Sequence, residues 1–157
     1  MESLILSVNI GAVSRRYAMY RRHQFVASAH FEYEADKVIC TMRTPKRTVQ
    51  TTTNLGTLHE ALAHVLPLMK EHEMVPSEIN FAAVGVRVAG PSSFLLQHRF
   101  IDKAYMDKLA ALSDISPLIK AVAHELDEAQ HLFVSVPIFA VSDSAFHADK
   151  PDYAWNY

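Results

Sequence analysis

The apolar residues of this sequence first change their spacing near Leu58, and this change separates a strand-rich first third from a mixed remainder. In the first third they alternate with a period of two or form short continuous runs, which is typical of β-strands. From Leu58 to Met69 they recur every three or four residues, which predicts a helix that starts near Gly56 and Thr57. The strands predicted before this helix span residues 4–8, 16–20, 24–33, 37–42 and 47–51.

After the first helix, strand and helix patterns alternate. A strongly apolar run predicts a strand over residues 79–88, and 134–141 predicts a last strand. Between them, residues 103–112 and 117 to about 129 predict two helices, the second with Pro117 at its first position behind Ser116. A strand meander followed by strand–helix–strand units favours an α/β fold with a mixed sheet flanked by helices. With 157 residues, half of them apolar, we expect one domain over 1–157.

Charge and cysteine content exclude several functions. Fifteen basic residues balance seventeen acidic ones, so we expect no nucleic-acid partner. No apolar run approaches the roughly 20 residues that span a bilayer, so we expect no membrane insertion. The single cysteine, Cys40, rules out an intrachain disulfide and fits a reducing compartment, so we expect a cytoplasmic protein.

Three loops follow the carboxyl ends of apolar strands, over residues 9–16, 87–93 and 142–147. In open α/β sheets ligands bind at this edge. Each loop also carries a charged or amide side chain that would be costly to bury without a partner. We therefore expect a binding site built from these three loops.

The first loop reads N-I-G-A-V-S-R-R. Gly11 permits a tight turn with outward N–H groups, a shape that suits phosphate. Asn9 and Ser14 would donate hydrogen bonds to a phosphate and Arg16 would neutralise it. The alternative is an ordinary β-hairpin with exposed arginines, because one glycine is a weak motif.

The other two loops each offer one ionic side chain. Arg87 ends a strongly apolar strand, where it would bind a carboxylate or phosphate through its guanidinium fork. Asp143 would bind Mg²⁺ or orient an arginine. The alternatives are an internal ion pair between Arg87 and Asp143, or an Asx turn or cap at Asp143. His147 would serve as a phosphate donor or a structural hydrogen-bonding group.

Four segments carry a resemblance to a known family. They read VNIGAVSRR, VGVRVAG, SPLIKA and DSAFHADKPDYAW. In order and spacing they resemble the acetate and propionate kinase (acetokinase) family, whose patterns are N-x-G-S-S-S-x-K, H-R-V-V-H-G-G, A-P-L-H-N-P and D-T-A-F-H. The match extends over essentially the whole chain, and the segment from Asp143 to His147 is its most specific part.

The resemblance implies a fold and a reaction. The fold is that of the actin-like, sugar kinase and Hsp70-type domains, which are ribonuclease H-like. The reaction is the transfer of a phosphoryl group from ATP, with Mg²⁺, to a short-chain carboxylate, giving an acyl phosphate. Catalysis in such sites depends mostly on alignment and charge stabilisation, which suits the residue types present here.

The resemblance also implies residue roles. Asn9, Ser14 and Arg16 would approach the phosphates, and Arg87 would bind the carboxylate and the transferring group. Asp143 would position Mg²⁺ together with Asn9, and it would also orient Arg87. The resemblance further places Leu118 in the apolar wall around the alkyl end of the carboxylate.

The sequence departs from the family patterns at several of these positions. Ala12 and Val13 replace two serines, Arg16 replaces a lysine, and Val86 replaces the histidine before Arg87. The second pattern ends in A-G-P instead of H-G-G, and the third has Ile-Lys in place of His-Asn. Several phosphate and carboxylate donors of the family are thus replaced, while Asn9, Ser14, Arg87 and Asp143 are kept.

Length is a further departure, since family members carry a second, similar domain that binds the nucleotide. We therefore expect this chain to be the N-terminal half, either of a longer protein or as a natural half-protein, and not competent alone. Its partners would be a short-chain carboxylate and a C-terminal domain or further copies of itself. The alternative is a degenerate, non-catalytic kinase-like module that binds a small anion or a protein.

Overall fold

A computed structural model describes residues 3–89, 93–114, 116–143 and 145. Its strands are β1 (Leu4–Ile10), β2 (Ser14–Arg21), β3 (Gln24–Glu34), β4 (Lys37–Arg43), β5 (Thr48–Thr52), β6 (Phe81–Val88), β7 (Arg99–Phe100) and β8 (Ile138–Ser142). Its helices are α1 (Ala61–Glu71), α2 (Lys103–Leu112) and α3 (Pro117–Leu132), and short 3₁₀ turns span Leu58–Glu60 and Ser93–Leu95.

All eight strands form one mixed sheet in the order β5-β4-β3-β2-β1-β6-β8-β7. The first five form an antiparallel meander, in which each strand pairs with the next one along the chain. β1, β6 and β8 are parallel to one another, and β7 pairs antiparallel with β8 at the edge. The three parallel strands therefore end at the same edge of the sheet, and the predicted mixed sheet is confirmed.

The core lies on one face of the sheet, which we call the inner face. Alternate residues of each long strand are buried there, as the period of two predicts. Helices α1 and α3 pack on this face, and α2 packs on α3. The inner-face residues of the central strands are Leu4, Leu6, Val8, Ile10, Tyr17, Met19, Val84, Val86, Val88, Ile138 and Ala140.

The opposite face, which we call the outer face, carries a mixture of apolar and polar side chains. Ile5 and Phe139 are 42 % and 40 % exposed there, and Phe100 packs its ring edge against Phe139. Among the described residues, the helices that contact the strands lie on the inner face. Within the described part of the chain, no helix covers the outer face of the three parallel strands.

The predicted elements agree with the structure except at the first loop and near β7 and β8. β1 extends to Ile10 and β2 begins at Ser14, so Asn9, Ser14 and Arg16 lie on strands and the turn between them is shorter than the predicted loop. The two-residue strand β7 was not predicted, and the last strand begins at Ile138 instead of residue 134 because α3 extends to Leu132 and a turn follows. α1 continues through Pro67 behind a 3₁₀ turn. None of the described helices has the length and apolar character to cross a membrane.

Candidate functional site

Arg87 lies between Asn9 and Asp143 and donates hydrogen bonds to both. Its Nε lies 2.9 Å from Asp143 Oδ1 and its Nη2 lies 2.5 Å from Asp143 Oδ2, a bidentate pair. Its Nη1 lies 3.2 Å from Asn9 Oδ1. The structure thus brings together one predicted site residue from each of the three loops.

The sheet register explains why these three residues meet. Val8 on β1 pairs with Val86 on β6, so Asn9 and Arg87 are the next residues along two adjacent parallel strands. Asp143 directly follows β8, and its N–H lies 2.9 Å from the carbonyl oxygen of Val88. Because successive side chains alternate between faces, Arg87 lies on the outer face while its neighbour Val86 is buried.

The Arg87–Asp143 pair is partly exposed. Their side chains are 48 % and 42 % accessible, so the pair faces solvent at the edge of the sheet. The hydrogen bonds to Asp143 raise the pKa of Arg87 above its ordinary value. Arg87 is therefore a permanent positive charge, held in a fixed orientation where a ligand has access.

The loop after β8 is held by Ser142, which sequence reasoning did not identify. The Ser142 hydroxyl donates to the carbonyl of Leu95 and accepts from the N–H of Ala145 at 3.1 Å. The N–H of Ser142 donates to His98 Nδ1 at 3.0 Å. Within the described residues the Ser142 hydroxyl thus caps this loop, while His147 lies outside them.

The β1–β2 turn is tight, as predicted. The N–H of Gly11 lies 2.9 Å from the carbonyl oxygen of Ser14. Gly11 does not have a positive φ; a Cβ there would lie 3.1 Å from Ser14 Oγ, so it is close packing that favours glycine. Arg16 is exposed and lies directly across from Asn9 in the β1–β2 ladder. Directly opposed residues share a face, so Arg16 lies on the outer face with Asn9.

Below this turn lies a buried polar cluster that we call the Arg15 cluster, formed by Arg15, Tyr17 and Glu125. Tyr17 donates to Glu125 Oε1, and Arg15 Nε lies 3.5 Å from Glu125 Oε2. A signal for this cluster was present in the sequence. Glu125 lies on the buried stripe of α3 with Val122 and Leu126, and a charged residue on such a stripe requires a partner.

The side-chain oxygens of Asp143 and Asn9 suit a magnesium ion that enters the site together with phosphates. Mg²⁺ prefers oxygen ligands and is usually held by one or two carboxylates, waters and substrate phosphates. Asp143 and Asn9 provide a carboxylate and an amide oxygen at the accessible edge. Among the described residues no group of three or more His, Cys, Asp or Glu is placed to hold a metal by itself. Leu118, in the first turn of α3, is partly buried against the core on the inner face.

A family model described as the acetokinase family matches residues 4–157. The chain is 26 % identical over 162 residues to an acetate kinase of Sulfurimonas denitrificans, covering 98 % of this chain and 40 % of that protein. It is 33 % identical over 99 residues to an acetate kinase of Heliobacterium modesticaldum, covering 62 % of this chain and 24 % of that protein. The chain thus spans at most two fifths of the length of these relatives.

Solved structures show the same fold. The acetate kinase of Porphyromonas gingivalis superposes with a TM-score of 0.81 at 18 % identity, over 96 % of this chain and 40 % of that one. A propionate kinase of Francisella tularensis superposes with a TM-score of 0.77 at 22 % identity, over 96 % and 39 %. The expected actin-like, sugar kinase type of fold is confirmed.

Proposed function

Because the chain belongs to the acetokinase family, we propose that it forms the substrate-side half of a kinase that transfers the γ-phosphoryl group of ATP to acetate or a similar short-chain acid. A carboxylate oxygen of the acid forms a bond to phosphorus, and the bond from phosphorus to the ADP oxygen breaks. The products are an acyl phosphate and ADP. The observation that carries the proposal is the placement of Arg87 between Asn9 and Asp143 at the ends of adjacent strands.

Arg87 is the residue we assign to the carboxylate and the transferring group. Its three described hydrogen bonds use three of the five N–H groups of a guanidinium, which leaves two for ligand oxygens. Two negatively charged reactants must approach each other in this reaction. A fixed guanidinium lowers that repulsion and aligns the oxygens, which is the main contribution a protein makes to phosphoryl transfer.

The exposure of the pair supports a functional role over a purely structural one. An ion pair in which both side chains are nearly half exposed contributes only about 0–1 kcal/mol to stability. The fold therefore gains little from this arrangement. A ligand, by contrast, meets an arginine whose orientation is already set, so less side-chain entropy is lost on binding.

We assign the phosphate side of the site to Asn9, Ser14 and Arg16. Arg16 adds a second positive charge across from Asn9 on the outer face. Asp143 and Asn9 would hold a magnesium ion that accompanies ATP, and that ion neutralises phosphate charge when bound. Leu118 is assigned to the apolar wall around the alkyl group, since a leucine at this point of the third motif is the residue that the family pattern carries.

The remaining catalytic groups come, in this proposal, from a second domain that binds the nucleotide. The chain covers 24–40 % of the length of the two acetate kinases compared above. The outer face, which none of the described helices covers, provides a surface for that domain or for a second copy of this chain, because parallel strands are normally covered on both faces. We therefore do not expect the chain by itself to catalyse the reaction.

A second candidate function is a non-catalytic module that binds a small anion. Ala12 and Val13, which stand where the family pattern has serines, are exposed at the tip of the β1–β2 turn. The turn therefore offers backbone N–H groups and Ser14, but two fewer hydroxyls, to a phosphate. In this second candidate, the turn still binds a phosphate but aligns it less firmly, and phosphoryl transfer depends on that alignment.

A chimera tests the two candidates against each other. This chain would replace the matched N-terminal part of the Sulfurimonas denitrificans acetate kinase, and acyl phosphate would be trapped as hydroxamate with Mg-ATP and a panel of short acids. Formation of hydroxamate above the level of the separate parts supports the kinase proposal. A folded chimera that binds phosphate but forms no hydroxamate supports the non-catalytic module.

A further inference from the structure

The Arg15 cluster is the part of the core that packing alone does not explain. Arg15 is 3 % exposed, and Tyr17 and Glu125 are fully buried. Arg15 and Glu125 are the charged residues that are buried within the described part of the chain. They join β2 to the middle of α3 across 108 residues of sequence, through the hydrogen bond between Tyr17 and Glu125.

This arrangement is a poor way to stabilise a fold. Removing two charges from water costs several kcal/mol per ion, and apolar replacements of a buried ion pair are often neutral or stabilising. The pairing here is also incomplete, since Arg15 Nε and Glu125 Oε2 are 3.5 Å apart and neither makes a hydrogen bond. The role of Arg15 therefore depends on the hydrogen bonds that its Nη1 makes.

Arg15 Nη1 supports the β1–β2 turn from the side of the core. Arg15 Nη1 donates to the carbonyl oxygen of Gly11 at 2.6 Å and to that of Ser14 at 3.0 Å. In a planar trans peptide the N–H points opposite to the carbonyl oxygen. Holding the Gly11 oxygen against the buried guanidinium therefore directs the N–H of Ala12 away from the core. Ala12 is exposed at the tip of this turn, where the proposed function places the phosphate.

We propose that Glu125 is a positioning residue for phosphate binding: it holds Arg15 beneath Gly11 and Ser14, and Arg15 keeps the Ala12 amide directed at the phosphate. The inference rests on the proposed function, because it assumes that the β1–β2 turn binds phosphate. It adds a buried residue from the middle of α3 to a phosphate side whose other members, Asn9, Ser14 and Arg16, lie at the edge and on the outer face.

Among the described residues, Glu125 is faced by the guanidinium of Arg15 and the phenol of Tyr17 on β2, and by the carboxyl group of Glu128 one turn further along α3. His59, on the 3₁₀ turn before α1, faces Arg15. Burial raises the pKa of Glu125 to about 7, against the opposing effects of Tyr17 and Arg15. Protonation of Glu125 is therefore measurable near neutral pH, and the turn should report it if the two are coupled.

The test uses backbone amide NMR of the 157-residue chain, without ligand and then titrated with inorganic phosphate. Three proteins are compared: wild type, Glu125→Gln, and Asp127→Asn as a matched control. Asp127 lies on the exposed side of α3, where it contacts His131. In wild type and the control, the amides of Ala12, Val13 and Ser14 should shift with pH near 7 and respond to phosphate.

In Glu125→Gln the pH response of these three amides should disappear, and phosphate affinity should fall about fivefold, the effect of one hydrogen bond. Turn amides that are unchanged in Glu125→Gln overturn the inference, as does a changed turn with wild-type phosphate affinity. If wild type shows no response to phosphate at Asn9, Ala12 or Arg87, the proposed function fails instead. Glu125 is then reduced to a structural contact of the turn.

A second variant separates positioning from folding. The combined change Arg15→Met, Tyr17→Phe and Glu125→Leu makes the cluster apolar, which should preserve or raise the unfolding midpoint in urea. We expect this protein to be folded, with faster hydrogen exchange at Ala12 and phosphate affinity reduced about fivefold or more. Full retention of phosphate affinity in this folded variant would contradict the proposal.

Discussion

Arg87 and Asp143 form two parallel hydrogen bonds across 56 residues of sequence, with Nε–Oδ1 at 2.9 Å and Nη2–Oδ2 at 2.5 Å. The pair exists because β6 and β8 are adjacent parallel strands that end at the same edge. Asn9 completes the arrangement from β1. An arginine fixed by two neighbours and still nearly half exposed would meet a ligand with its orientation already set.

Removing Arg87 should leave the fold intact. Because the ion pair is partly exposed, Arg87→Ala should lower the free energy of unfolding by less than about 1 kcal/mol. Urea denaturation followed by circular dichroism measures this. Arg43→Ala, at the exposed end of β4, is the matched control. A loss several times larger would instead indicate that Arg87 has a structural role.

Asp143→Asn should separate binding from transfer. The asparagine keeps the shape but removes the charge that orients Arg87, so the local positive charge increases while alignment is lost. We expect phosphate affinity to be retained or raised, and acyl phosphate formation by the chimera to fall roughly 10²-fold. Measuring KM and kcat separately checks this. Equal losses in both affinity and turnover would speak against an orienting role.

The strand ends were predictable because each is marked by an apolar run followed by a polar residue. The parallel order of β1, β6 and β8 then follows from the strand–helix–strand pattern, and it brings Asn9, Arg87 and Asp143 together. β7 was not predictable, since two residues carry no period. Val134 and Val136 favoured an early start for the last strand, yet Val134 is 84 % exposed in the turn after α3.

The Arg15 cluster shows a different limit of sequence reasoning. Arg15 alternates with Tyr17 and Met19, and Glu125 lies among the apolar residues of α3, so each position implies burial. The burial pattern along a single strand or helix does not show which buried charges contact each other, however. Their pairing depends on how α3 crosses β2, which is a tertiary property that no local period encodes.

Glu125 should make stability depend on pH. Its pKa is about 7 in the folded chain and 4.5 when exposed, so between these values the folded state binds more protons. Stability should therefore be greatest below pH 4.5 as far as Glu125 is concerned, and fall by at most roughly 3 kcal/mol as pH rises through 7. Urea unfolding of wild type and Glu125→Gln, compared at pH 5 and pH 8, measures the difference.

His59 has the opposite effect on the pH dependence of stability. Burial lowers its pKa, so its contribution to stability rises with pH. It is present in both proteins and so largely cancels in the comparison. A Glu125→Gln protein whose stability changes with pH as steeply as that of wild type would contradict the assignment. Asp127→Asn should follow the wild-type curve.

Cys40 should be unreactive in the folded protein. It is fully buried on β4, and burial raises the pKa of its thiol to about 12, so little thiolate forms at neutral pH. Reaction with Ellman's reagent at pH 8 should be slow in buffer and complete in denaturant. Rapid reaction under native conditions would mean that the β4 region opens readily.

The outer face should cause self-association of the isolated chain. Ile5, Phe100 and Phe139 are exposed there, and exposed apolar patches promote association. Sedimentation velocity should show species larger than 17.6 kDa, and the double change Ile5→Glu and Phe139→Glu should restore the monomer. Val134→Glu, in the turn before β8, is the control and should still associate. A monodisperse wild-type monomer would refute this prediction.

The most direct test of the account is acyl phosphate formation by the chimera carrying Arg87→Ala, with Arg43→Ala as its control. If Arg87 binds the carboxylate and the transferring group, the Arg87→Ala chimera should be folded and form hydroxamate at least about 10²-fold more slowly than the control. Hydroxamate formation at the control rate by a folded Arg87→Ala chimera would show that the reaction does not use this arginine, and the proposed site would be wrong.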